Sequence, residues 1–349
     1  LFKGTASFGV GEVAATVEGL GGDINAWTSY DETVFHLSLP VQHLQTGIQV
    51  LAEMLTTARL DREELEQERK VVLEEIRGGM EDPDLVLGEA LYGLAFRHHP
   101  YGRPIIGSFS SVKKMDPARI QAFYRTFYQP ANAMLAVAGP VDPERLVKQV
   151  QQLFSGGGPR PLRQAPEAPI GSGKKHLKRR FEGARLETAF ACPGQKHADV
   201  PLLDVLAMAL GGGISAPLEA ELRLKQGICL GASAHYEGEE LGGLFTIHLH
   251  TMEEKLKEAV SSMDALLDHW VAEGPALKDV ERARAQILAD RAFSRETAEG
   301  RAHSAGWRRA RARARSARAT RAVAASPPRT AQAGTAALEC RAPTNRTRR

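Results

Sequence analysis

Apolar residues in this chain follow two rhythms, one of two residues and one of three to four, and the changes between them mark out the elements. Apolar and polar positions alternate over residues 19–30 and again over 32–39, around a turn at Tyr30-Asp31, which predicts a β-hairpin. Pro40 stops the second strand, and residues 41–58 read as an amphipathic helix. Asp61 is placed to cap the next helix, with Glu64 at the capping-box position, and Glu81-Asp82-Pro83 ends it. Asp116-Pro117 starts a helix running to Tyr128, residues 133–138 predict a short buried strand closed by Gly139-Pro140, and Asp142-Pro143 opens another helix.

Between 155 and 175 the composition shifts to Gly, Pro and charge, which marks a linker and divides the chain into residues 1–154 and 176–307. Beyond it a helix over 201–210 meets Gly211-Gly212-Gly213, and a second helix runs to Leu224. Strands over 230–237 and 243–250 and a helix over 253–269 follow. Hairpin followed by amphipathic helix thus occurs at 22–58 and at 229–269, a weak internal duplication of pattern.

The helix after Asp61 carries the densest chemistry, in Glu68-Arg-Lys-Val-Val-Leu-Glu-Glu75-Ile76. Glu68 and Glu75 are seven positions apart, two turns, and project from one side. Leu65, Val72 and Ile76 lie close to that side with Val71 beyond it, while Glu74 points the opposite way. The pattern predicts that Glu68 and Glu75 are held among apolar residues, where a carboxylate needs a metal ion or a basic side chain as partner.

Composition refines this picture at the ends. A length of 349 residues, 43% hydrophobic and 25% charged, predicts two domains of an ordinary globular protein, with no apolar run of membrane-spanning length. Cys192, Cys229 and Cys340 are widely spaced and read as reduced structural thiols. The net charge of +3 hides a division: residues 308–349 hold twelve Arg and one Glu, a net of +11, so the first 307 residues carry −8. This tail could be a basic arm for nucleic acid. Its lack of Lys, and its wealth of Arg, Ala, Pro, Thr and Ser, which have GC-rich codons, instead suggest DNA read out of frame. It is expected to be disordered, with no nucleic-acid partner.

Together, Leu1-Phe2-Lys3-Gly4-Thr5 and the E-R-K-V-V-L-E-E-I helix resemble the pitrilysin/insulinase family of zinc metallopeptidases. The resemblance implies an α+β fold of two related domains, each a curved, mainly antiparallel sheet backed by helices, facing each other across a cavity. It also implies an inverted H-x-x-E-H motif whose second histidine would stand two residues before Leu1, with Glu75 following it by 76 positions. On that register Zn2+ is the cofactor, Glu75 its carboxylate ligand and Glu68 an accessory group that orients ligands or water. Asn25, Ala26, Trp27 and Thr28 match the family's substrate strand, to which a peptide backbone adds.

Other candidates have plainer readings. His98 and His99 are adjacent and point apart, so they are read as structural. His248 and His250 share a strand face that could hold a metal, although nothing nearby completes a site. Leu210-Gly-Gly-Gly213-Ile-Ser215 lacks the Lys-Ser/Thr of a P-loop and resembles a family turn that permits close helix-to-helix packing.

The expected parent is therefore a zinc endopeptidase that cleaves unfolded peptides or protein segments. This chain is expected to be an inactive fragment of it, because the two histidines and the general-base glutamate are not in the sequence. The alternative is a non-catalytic peptide-binding or scaffold subunit of the same family. Expected partners are a peptide and, for assembly, a second copy or a related subunit. The expected compartment is bacterial cytoplasm or periplasm.

Overall fold

The computed structural model describes residues 1–158 and 170–307. The basic tail and most of the anticipated linker lie outside the described residues. In chain order the elements are α1 (Glu12–Gly19), β1 (Asp23–Thr28), β2 (Thr33–Ser38), α2 (Leu44–Thr56), α3 (Arg62–Gly79), α4 (Pro83–Ala95), α5 (Phe109–Lys113), α6 (Pro117–Phe127) and α7 (Pro143–Leu153). The second half holds β3 (Ala184–Cys192), α8 (Val200–Gly211), a π-helical stretch (Glu219–Lys225), β4 (Gly231–Gly238), β5 (Gly243–Thr251), α9 (Leu256–Glu273) and α10 (Leu277–Phe293). Residues 298–307 form a further helix, α11.

Three helices begin at Asp-Pro. Asp82, Asp116 and Asp142 each accept a hydrogen bond from the backbone N–H two residues on, at 2.9, 3.0 and 2.9 Å, while the proline occupies a position that needs no donor. Asp82-Pro83 therefore both follows the end of α3 and starts α4, a helix that the stop signal alone did not reveal. Residues 133–138 form no strand, and all but the exposed Met134 are half-buried. A strand exists only by pairing, and no described segment forms a ladder with this one.

The contacts divide the described residues into two compact units. One comprises residues 1–77, 105–158 and 293–307. In it β1 and β2 pair antiparallel, with Asn25 opposite His36 and Trp27 opposite Val34. Ile24, Phe35 and Leu37 pack with Val13 and Val17 of α1 and Val50 and Met54 of α2. Strand alternation then sends Asn25, Trp27 and His36 to the other face. The Tyr124 hydroxyl ties α6 to the end of α2, accepting from Ala58 N at 2.9 Å and donating to Met54 O at 3.0 Å.

The other unit comprises residues 78–104 and 170–292. Its sheet runs β3-β5-β4, antiparallel throughout, with β5 central. Phe190, Phe245, Ile247 and Leu249 pack against Leu203 and Leu210 of α8 and Met263, Leu267 and Trp270 of α9. Gly211 is required here because a Cβ would collide with the backbone of Ser233 and Ala234, so the close approach is helix to strand rather than helix to helix. Arg282 closes the end of α8, donating to Ala209 O at 2.8 Å and Gly212 O at 2.7 Å. The hairpin-then-helix pattern recurs as β1-β2-α2 and β4-β5-α9.

Candidate functional site

Helix α3 presents Glu68 and Glu75 as its register requires, but the surroundings differ from the expectation. No residue of α3 is buried: Glu75 is exposed, Val71 is 49% exposed, and Val72 and Ile76 are only half-covered. Periodicity decides which residues share a helix face. Burial depends on what packs over that face, and none of the described residues buries it. Glu68 forms an ion pair with Lys3 at 3.2 Å, with both side chains about half exposed, which joins the two motifs. Glu74 is exposed and pairs with Arg77. Among the described residues no hydrogen bond or ion pair joins Glu75 to Glu68 or to β1.

The helix is held by Arg69, which pattern reading passed over. Its side chain is 15% exposed and donates to the carbonyls of Val112 (2.8 Å), Lys113 (3.2 Å) and Met115 (2.7 Å). A guanidinium thereby satisfies the open carbonyl end of α5 and fixes α3 beside it. The sequence signal was a basic residue three positions after Glu66, with which it pairs at 3.0 Å, and that spacing reads equally well as a solvated charge pair.

The hairpin is open where the substrate strand was expected. Ser29 N donates to Glu32 O at 2.9 Å, so by antiparallel alternation Trp27/Val34 and Asn25/His36 are hydrogen-bonded pairs. Ile24, Ala26 and Thr28 then direct their N–H and C=O groups away from β2, and no described strand pairs with β1 on that side. Asn25, Trp27 and Thr28 are exposed and Ala26 is half-buried. Trp27, 38% exposed, is not a core residue; its ring lies 5.7 Å from that of His303 on α11. His36 pairs with Glu299 of the same helix at 2.9 Å.

The second unit holds a polar layer between α4 and its sheet. Asp84 lies 2.8 Å from Arg185 and 3.7 Å from His248, and the Tyr92 hydroxyl donates to Glu237 at 2.8 Å. Glu187, opposite His248 in the ladder, is pushed up to about 7 by burial, with Glu237 and Asp84 adding to the effect. His248 is lowered, chiefly by burial, despite the nearby Asp84. His99 is structural: it is buried, accepts from Tyr101 N at 3.2 Å and lies ring-to-ring with Tyr101 at 4.3 Å.

Among the described residues no group of three His, Cys, Asp or Glu side chains could hold a metal ion. No helix among them is long and apolar enough to cross a membrane.

Residues 1–108 match the family model described as insulinase (peptidase family M16), and residues 114–287 match the model for the peptidase M16 inactive domain. An uncharacterized zinc protease of Rickettsia bellii is 26% identical over 298 residues, covering 84% of this chain and 72% of that protein. One from Streptomyces coelicolor is 28% identical over 296 residues, covering 82% of this chain and 64% of that protein. Part of each relative's length thus has no counterpart here. The crystal structure of a protease from Helicobacter pylori aligns with a TM-score of 0.76 at 25% identity, over 86% of this chain and 74% of that one.

Proposed function

The chain belongs to the insulinase family of peptidases, M16, and from that membership we propose that it forms the substrate-strand and carboxylate portion of a zinc-dependent endopeptidase acting on unfolded peptides. The observation that carries the reading is an open strand edge at Ile24, Ala26 and Thr28 within the region matched by the family model. An extended peptide can add to such an edge through main-chain hydrogen bonds, which accept many sequences provided they are unfolded.

On α3, Glu75 is proposed as the zinc carboxylate and Glu68, steadied by Lys3, as the group that orients it. Zinc, when bound, supplies a polarised carbonyl and an acidified water. A catalytic zinc takes three protein ligands, and the described residues offer no group of three, so they do not by themselves fit the ion. What they do themselves is bind and align the peptide backbone on β1 and hold α3 in place through Arg69. In the alternative reading, a non-catalytic peptide-binding member of the same family, the same open edge binds peptide without cutting it.

The test is binding of a fluorescein-labelled unstructured peptide to the full chain, followed by polarisation. Ala26→Pro removes an N–H that faces away from β2, a substitution an edge strand tolerates, and is expected to weaken binding more than tenfold with the circular dichroism spectrum retained. Unchanged binding would contradict the assignment of β1. Cleavage of the peptide by the chain as it stands would contradict the alternative reading.

A further inference from the structure

We propose that Asn25 is a removable cap on the peptide-accepting edge, so that an incoming peptide must first displace the Asn25 side chain from the Ala26 N–H. The inference rests on the reading of β1 as the acceptor strand and adds a step to it. Ala26 N donates to Oδ1 of Asn25 at 2.8 Å. By the ladder's alternation this N–H faces away from β2, towards the open side. The Asn25 oxygen therefore occupies the place that a carbonyl of an added strand would take.

Among the described residues, neither Ile24 nor Thr28, which face the same way, has its N–H capped by a side chain. The cap thus acts at one register of the edge, at its middle. Unpaired strand edges template unwanted association, and natural sheets blunt them in various ways. An amide oxygen tethered to the adjacent residue does so reversibly. Asn25 is exposed, so its bond competes with water and is weak enough to be exchanged.

A single exchanged hydrogen bond of this kind corresponds to about three- to tenfold in affinity. Asn25→Ala should bind the labelled peptide tighter by that factor, and in the free chain the Ala26 amide should exchange with solvent faster than in wild type. Asn25→Asp keeps an acceptor oxygen at the same reach and should bind no more tightly than wild type, which separates loss of the cap from a general effect on the hairpin. The proposal is overturned if Asn25→Ala binds equally or more weakly while Ala26→Pro still weakens binding more than tenfold, an outcome that leaves the acceptor strand itself intact. If Ala26→Pro does not weaken binding, the acceptor strand fails and the cap with it.

Discussion

Replacing Glu187 by Gln should stabilise the second unit at alkaline pH and do little in acid. Glu187 of β3 shares a sheet face with Arg185, with His248 and His250 of β5 and with His235 and Glu237 of β4, and α4 contributes Asp84, paired to Arg185, and Tyr92, bonded to Glu237. Burial, then Glu237, then Asp84 push its carboxyl up to about 7 from an ordinary 4.5. Between those values the folded chain keeps a proton that the unfolded chain has released. Stability from this group is therefore intact below pH 4.5 and is lost as the pH rises through 7. At about 1.4 kcal/mol for each tenfold in acidity, the loss above pH 7 is bounded at about 3.5 kcal/mol. The side chain keeps some access to water, which reduces the expected figure to about 1–2 kcal/mol. Glu187→Gln mimics the protonated acid, so it should raise the melting temperature by about 3–6 °C at pH 8.5 and by under about 1 °C at pH 4.5. Trp270, buried in this unit, reports the transition by its emission once Trp27 and Trp307 are replaced by Phe. Equal gains at both pH values would mean that packing, not ionisation, is responsible. A loss at pH 8.5 would show that the ionised carboxylate is needed.

Two further outcomes follow from the packing. Arg69→Ala removes the charged donor from three carbonyls and should cost about 2–3 kcal/mol, with faster hydrogen exchange along α3 as the sign that its anchor is gone; unchanged α3 exchange would show that other contacts hold it. Gly211→Ala forces a methyl group into the Ser233–Ala234 backbone and should destabilise by about 2 kcal/mol or more in urea titration, whereas Gly88→Ala, inside α4 with nothing within 4 Å of the added methyl, should not destabilise.

The parts of this fold that were legible in the sequence are the local ones. Alternation placed Asn25 and Trp27 on one strand face, and the structure puts that face away from Val13 and Met54. Asp-Pro starts were readable at 116 and 142 because a cap and its acceptor lie within three residues. Asp82-Pro83 is ambiguous in the sequence, since the same pair signals both the end of α3 and the beginning of α4. Residues 133–138 have a strand's composition, but pairing is non-local and was not to be had from composition. The Ala-rich β3 showed too weak an alternation to stand out. At the candidate site, spacing correctly put Glu68 and Glu75 on one side of α3, yet it carried no information about cover, and Glu75 proved exposed. The grip of Arg69 on Val112 and Met115 and the Asn25 cap on Ala26 are contacts whose partners no periodicity announces.

The central claim is that Glu75 is the zinc carboxylate of an M16 peptidase site, and the most direct measurement is zinc content together with peptide cleavage. It is made in a version of the chain that carries an H-x-x-E-H segment with its last histidine two residues before Leu1. That chain should hold one zinc and cleave a quenched fluorescent peptide. Glu75→Gln should lose most of the metal and nearly all turnover, because a neutral amide is a much poorer ligand than a carboxylate. Glu68→Gln should keep the metal and lose about 10–100-fold in rate, and Glu74→Gln, on the opposite side of α3 and paired to Arg77, should change neither. Equal zinc occupancy in the parent and in Glu75→Gln would contradict the assignment.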